Sequence, residues 1–507
     1  MIPLEYLLLG VAVMLLLSVV SSKASTQLGV PTLVLFLLIG MLAGSDGPGG
    51  IEFNNPWLAQ YLGTVALIFI LFSGGLDTKW KEIKPVLWRG VILSTIGVML
   101  TAIIVGYAAY YVLDFSLLEA MLLAAIISST DAAAVFSILR SKQISLKGDL
   151  RPLLELESGS NDPMAIFLTT SLIALITGAI ASPTTLISVF AQQMALGAVF
   201  GYMMGRGMAV IVNRIRLDYR GLYPLLTISL VLLTFALTAT LGGNGFLAVY
   251  IAGLSLGSHS FIHKRSLMDD HDSMAWLMQI VMFLTLGLLV FPSRLLPVAS
   301  IGLFICFVLM FLARPMAVLI CLLPFRKMPL KERVMLSWVG LRGSVPIILA
   351  TFPLISGVQK ADMIFNVVFF VVLTSVLVQG SSIPFFARRL GVDAPLESLP
   401  EPPEAVPGRE EWEPLVKLKV LSGSAADGKQ IADLNLPDDT WIAVLRREGH
   451  PIRPGGSTVL KGGDRLSVQS SGASLELLRS LVEKKEIAGD DDQPEQQIIR
   501  PGTGPAR

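Results

Sequence analysis

Three polar stretches sit inside or beside long apolar runs: Ser128-Ser129-Thr130-Asp131, Glu157-Ser158-Gly159-Ser160-Asn161-Asp162 and Gly340-Leu341-Arg342-Gly343-Ser344. Ionisable groups at membrane depth are costly, and where they gather in an apolar chain they mark an ion path. The spacing in the second stretch sharpens this. On a helix Ser158 and Asp162 share one face while Glu157 sits beside Asn161, so two carboxylates occupy adjoining faces. Burial disfavours the charged form of a carboxyl group. A single buried carboxylate therefore holds either a proton or a desolvated monovalent cation, and that competition is sufficient for exchange when access alternates. Asp162 is the candidate carrier, with Asn161, Ser158, Thr130, Asp131 and backbone carbonyls as hard oxygen ligands around it. Arg342 is expected to supply the counter-charge to Glu157. The plainer alternative makes Asp131 or Asp162 half of a buried structural pair.

The elements that must hold these residues are membrane helices. The sequence is 53% hydrophobic and 15% charged over 507 residues, with a mean hydropathy of +0.68, more apolar than a soluble core requires. Spans of about 20 apolar residues are expected near 4–22, 31–44, 58–74, 87–113, 117–140, 157–180, 184–212, 221–241, 245–258, 274–291, 297–323, 333–355 and 363–386. The fifth and twelfth carry the interruptions. Around a linking seventh helix they are equivalent members of two repeats, and broken helices at matching places in two halves point to a transporter site. The segment from Leu4 to Val20 lacks a basic start and is expected to stay as a membrane helix rather than be cleaved.

Charge sets the expected orientation. One alternate set of connections holds Lys23, Lys79, Arg140, Arg151, Arg214, Lys264, Lys331 and Arg389 among many others, and the opposite set only Arg294 and Lys360. Basic loops face the cytoplasm, so the N-terminus is expected outside and the C-terminus inside. The net charge of +1 gives no concentrated basic surface and argues against a nucleic-acid partner. Cys306 and Cys321, the two cysteines, lie in one apolar run and define neither a disulfide framework nor a metal site.

Four domains are expected: a transmembrane domain over 1–390, a Pro/Glu-rich linker over 391–411, a small cytoplasmic α+β domain over 412–487 and a disordered tail over 488–507. In the third, short alternating segments at 415–421, 441–447 and 465–469 are separated by Asp427-Gly428, Glu448-Gly449 and Gly462-Gly463-Asp464 turns and followed by a helix near 473–485.

With Ser129-Thr130-Asp131, Glu157-Ser158 followed by Asn161-Asp162, and Gly340-Leu341-Arg342-Gly343-Ser344-Val345-Pro346 in this order, residues 1–390 resemble the NhaP-type cation/proton antiporters. The resemblance implies an all-α membrane fold of about 13 helices, with inverted repeats and two unwound crossing helices. It implies a homodimer in the bacterial plasma membrane that exchanges potassium or sodium for protons and needs no cofactor. It makes the residue matching Asp162 the shared carrier, places Thr130, Asp131 and Ser158 at the ion site and makes Glu157 and Arg342 a structural ion pair. The Asn161-Asp162 pair implies electroneutral one-for-one exchange. Ser73 stands where relatives often carry an acid, which bears on cation selectivity. The segment around Asp427-Gly428-Lys429, Ile442-Ala443-Val444 and Gly462-Gly463-Asp464 is similar to TrkA-C modules, which dimerise and bind small, nucleotide-like ligands in potassium transport proteins; this tilts the expected substrate toward potassium.

Other residues have simpler expectations. Asp77 is read as a helix-end residue at the surface and Asn244 as part of an outside turn. His259, His263 and His271 are read as a solvated connection, with pH sensing as the alternative. Gly197, Gly201 and Gly205 permit close packing, either within the chain or between subunits. Lys417, Lys419, Arg446 and Arg447 read as a solvated face. A gated channel lacks a Thr-Val-Gly-Tyr-Gly filter, and a signalling receptor lacks any effector segment.

Overall fold

The computed structural model describes residues 3–28, 31–180, 182, 184–215, 217–325, 327–395, 416–434, 436–437, 440–447, 450–452, 454–470 and 472–483, in two compact units, 1–397 and 398–507. The linker beyond Pro395, the 488–507 tail and the Glu448-Gly449 turn lie outside the described residues.

The first unit is a helical membrane fold. Its helices are α1 (Leu4–Leu28), α2 (Thr32–Ala43), α3 (Pro56–Asp77), α4 (Trp80–Val112), α5a (Leu117–Ile126), α5b (Ala132–Ser141), α6 (Leu150–Ile176), α7 (Thr185–Arg214), α8 (Leu222–Thr240), α9 (Gly245–Gly257), α10 (Lys264–Leu289), α11 (Ala299–Leu322), α12a (Leu330–Trp338), α12b (Ser344–Ile355) and α13 (Ala361–Leu390). Among the described residues eight are long and apolar enough to cross a membrane, and α2, α5a, α5b, α9 and α12b are shorter apolar helices. This makes the chain a multi-pass membrane protein, with the fifth and twelfth helices broken as expected.

Local chemistry sets several of the starts. Ser116 accepts from the Glu119 amide while the Glu119 carboxylate accepts from Ser116, a capping box that opens α5a. Asn55 followed by Pro56 opens α3. Among the helices that begin well before their apolar stretches are α4 at Trp80, α6 at Leu150 and α10 at Lys264. Arg151, Glu155 and the Asp269-Asp270-His271-Asp272 run interrupt the apolar pattern without interrupting the helix. His271 consequently lies within α10, buried, bonded to Thr227 Oγ1 at 2.9 Å and packed edge-on to Phe72, and not in a solvated connection. His259 is half-buried with its Nδ1 on the Ser255 carbonyl, and His263 is exposed.

Gly197, Gly201 and Gly205 face Asn244, Ala248 and Ala252, and a Cβ at any of them would collide with α9 backbone. Their spacing of four serves packing of α7 on α9 inside one chain. Asn244 is buried as the N-cap of α9, with its Nδ2 donating to the Pro163 carbonyl at 3.1 Å; it is not an outside turn. Cys306 and Cys321 are buried, free thiols.

The chain leaves α13 through a short strand. Strand β1 (Ile144–Leu146), between α5b and α6, pairs antiparallel with β2 (Asp393–Pro395), extended by Lys147 N–H to the Val392 carbonyl at 2.9 Å.

The second unit contains β3 (Val416–Lys419), β4 (Trp441–Arg447), β5 (His450–Ile452), β6 (Arg465–Gln469) and α14 (Gly472–Glu483). The sheet order is β3-β6-β4-β5, antiparallel throughout. Leu418, Val420, Leu445, Leu466, Val468, Leu478 and Val482 form its core. Strand β5 completes a hairpin that the sequence pattern did not single out. Arg447 is engaged rather than solvated, donating to both Asp464 oxygens at 2.9 and 2.8 Å. Burial pushes the Asp464 carboxyl up, but the Arg447 and Lys461 bonds outweigh it and hold the group below its ordinary range.

Candidate functional site

Helix α5a stops where Ser128, Ser129 and Thr130 leave helical geometry, and α5b restarts with Asp131, whose Oδ1 accepts from the Ala134 amide at 2.9 Å. The twelfth helix stops at Trp338 and restarts at Ser344. The two breaks cross: the Asp131 amide donates to the Leu341 carbonyl at 2.8 Å. Gly343 lies against the Asp131 carboxylate so closely that any Cβ there would collide with it.

Helix α6 closes the first break. The Ser158 hydroxyl accepts from the Ala132 amide at 3.0 Å and donates to the Thr130 carbonyl at 2.9 Å. Asn161 Nδ2 donates to Thr130 Oγ1 at 2.6 Å, and Ser129 Oγ donates to Asp162 Oδ1 at 2.6 Å. Backbone groups freed at membrane depth must find partners inside the protein, and these side chains supply them.

The arginines divide differently from the sequence expectation. Glu157 pairs with Arg314 of α11, Nη1 to Oε1, both side chains buried. Arg342 does not reach Glu157 as a bonded partner. Its Nη1 instead donates to the Ser128 and Ser129 carbonyls at 2.7 and 2.6 Å, which places a cation on the carbonyl end of α5a. The physical reason is position: Arg342 lies in the crossing break next to the exposed carbonyls, while Arg314, following a π-helical stretch (Val308–Ala313) and preceding Pro315, projects toward α6. Its signal was available, since it is a lone charge inside the apolar run Ala299–Leu322.

A cavity of about 440 Å³ meets this arrangement. Asp162, Asp131, Ser158 and Ser129 line it. Thr130, Asn161, Glu157 and Arg342 do not: Thr130 and Arg342 bond Ser158 and Ser129 from behind, Asn161 holds Thr130, and Glu157 pairs with Arg314. From Asp162 the cavity extends along α6 through Gly159 and Glu155 to Arg151, past Ser73 and Asp77 of α3, Arg140 of α5b and Asp272 of α10. Asp77 is indeed the last residue of its helix, but it also lines the cavity. Sequence reasoning passed over Ser129 as a partner of Asp162, as well as Glu155, Asp272 and Tyr250, which also faces this space.

The buried carboxylate of Asp162 has a hydroxyl partner, and among the described residues no lysine or arginine forms an ion pair with it or with Asp131. The sequence pattern of the sodium/hydrogen exchanger transmembrane family matches residues 11–389. This chain belongs to that family. Within it, the K(+)/H(+) antiporter NhaP2 of Shewanella sp. (strain MR-4) is 41% identical over 491 residues, 95% of this chain and 85% of that protein. The K(+)/H(+) antiporter NhaP of Alkalimonas amylolytica is 40% identical over 464 residues, 91% of this chain and 80% of that one. The solved structure of the sodium proton antiporter MjNhaP1 from Methanocaldococcus jannaschii at pH 8 superposes with a TM-score of 0.64 at 24% identity, covering 74% of this chain and 99% of that chain. The fold is thus that of the NhaP-type exchangers. Residues 415–483 match the TrkA-C domain, so this family member carries a TrkA-C module behind its exchanger domain.

Proposed function

We propose that this exchanger is a potassium/proton antiporter in which the Asp162 carboxylate alternately carries one cation and one proton. The observation that carries this reading is the lack of a counter-cation among the described residues: a buried carboxylate in a cavity wall, met by the Ser129 hydroxyl, needs a proton or a cation to offset desolvation. The guanidiniums that could neutralise it are committed, Arg342 to carbonyls and Arg314 to Glu157. One carboxylate that holds one monovalent charge at a time gives one-for-one, electroneutral exchange. Ser158 and Asp131 are the neighbouring ligands, with Thr130 and Asn161 as their supports. Potassium over sodium is supported by the relatives at 40 and 41% identity, both K(+)/H(+) antiporters.

The transporter domain is proposed to span 1–390, the linker 391–411, the regulatory domain 412–487 and the tail 488–507. The basic loops favour an N-terminus outside and a C-terminus inside the bacterial plasma membrane. That orientation puts the end of α3, the end of α5b and the start of α6, whose Asp77, Arg140 and Arg151 line the cavity, on the cytoplasmic side. The working unit is proposed to be a homodimer whose interface does not use the α7 glycine stripe, which is occupied by α9. The TrkA-C module sets the rate through a small ligand. The protein transports its substrates without covalent change. In proteoliposomes with a trapped pH dye, an outward potassium gradient should drive proton uptake that is insensitive to clamping the membrane potential. Flux that follows the potential would instead be that of a channel or of an electrogenic exchanger.

A further inference from the structure

Helix α6 runs from Leu150 to Ile176 with a proline inside it, Pro163, directly after the proposed carrier Asp162. A proline has no N–H to give to the carbonyl four residues back. That carbonyl belongs to Gly159. Gly159 stands three residues before Asp162, on the same helical face, and both line the cavity together with Ser158.

The neighbourhood is built to hold this turn. The place a Cβ on Gly159 would take is filled by the ring of Tyr250, itself buried. One turn further on, Asn244 Nδ2 donates to the Pro163 carbonyl while its Oδ1 caps α9. Helix α9 therefore grips α6 on either side of Asp162, at Gly159 and at Pro163.

We propose that the main-chain carbonyl of Gly159, released by Pro163, is a ligand for the transported cation, alongside the Asp162 carboxylate and the Ser158 hydroxyl. Carbonyl oxygens replace the hydration shell of an alkali cation without adding charge. The carbonyl also distinguishes the two competitors at Asp162. A proton needs the carboxylate alone, whereas a cation gains from each further oxygen, so the freed carbonyl favours the cation. Proline inside a membrane helix is tolerated where something else satisfies the released group, and here the transported ion does so in each cycle.

This inference rests on the antiport reading, and its test separates the two. Potassium-driven proton flux is measured in proteoliposomes as a function of potassium concentration for the wild type, for Pro163→Ala, and for a chain carrying the α-hydroxy analogue of serine at position 160. The analogue turns the Gly159–Ser160 amide into an ester, whose carbonyl is a weaker ligand, and leaves the proline in place. Both changes should raise the half-saturating potassium concentration about fivefold, the factor a single neutral polar contact of usual strength supplies, with the maximal rate affected much less. A purely structural role would lower folded protein or maximal rate and leave half-saturation where it was. An unchanged half-saturating concentration in the ester variant overturns the inference, whatever Pro163→Ala does, while wild-type flux leaves the antiport reading standing. No potassium-coupled flux in the wild type would overturn both.

Discussion

At the α5 break the contacts end on side chains of α6: Ser158 on two backbone groups, Asn161 on Thr130, and Ser129 reaching back to Asp162. At the α12 break they come from α13 and from one long reach: the Arg342 amide donates to Ser375 Oγ at 3.1 Å and the Trp338 carbonyl accepts from Gln379 Nε2 at 2.9 Å. Gly340 lies against the Arg314 side chain, Gly343 lies against the Asp131 carboxylate, and Arg342 crosses to the carbonyls of Ser128 and Ser129. One interrupted helix brings Ser129 and Asp131 to the cavity wall beside Asp162, and the other leaves room for the Asp131 carboxylate and sets a guanidinium on carbonyls. Sequence equivalence between two broken helices therefore does not make their residues chemically equivalent.

The sharpest way to test that division is to compare the two buried arginines. Arg314→Ala leaves the Glu157 carboxylate buried and unpaired, which costs about 3–5 kcal/mol. We expect little folded protein from it by size-exclusion in detergent, and recovery when Glu157→Gln is added. Arg342→Ala removes a donor from neutral carbonyls, a loss of about 2 kcal/mol. That variant should fold, melt at lower temperature, and gain nothing from Glu157→Gln; rescue by that second change would mean that Arg342, after all, is the partner of Glu157.

A smaller effect probes the room on the α12 side. Gly343→Ala places a methyl against the Asp131 carboxylate and should cost about 1–2 kcal/mol by overpacking, read as a lowered thermal midpoint with reduced transport. Normal stability and normal transport in that variant would show that the crossing is looser than the close approach of Gly343 to Asp131 implies.

The same contrast explains what could be read from the sequence. The α5 and α6 residues were legible because polar side chains stand out against apolar surroundings, and Asp162, Asp131 and Ser158 do meet at one cavity. The arginine pairing was not legible: Arg342 draws attention by lying in a visible interruption, whereas Arg314 sits in an apolar run that counts as an ordinary span. Charge also misplaced helix starts. Arg151 and Glu155 on α6, and Asp269 to Asp272 on α10, end an apolar window yet remain helical; Arg151, Glu155 and Asp272 line the cavity, while His271 is buried against Phe72 and Thr227. Asn244 looked like a turn residue between glycines, and only the packing of α9 on α6 shows what it holds.

The most direct test of the central claim is proton-gradient dissipation in everted membrane vesicles from an antiporter-deficient bacterial host, with potassium and then sodium added, comparing the wild type with Asp162→Asn at matched membrane abundance. The wild type should collapse the gradient on potassium addition more than on sodium addition, and Asp162→Asn should not respond to either. Equal dissipation by Asp162→Asn would contradict the assignment of Asp162 as the shared carrier of cation and proton.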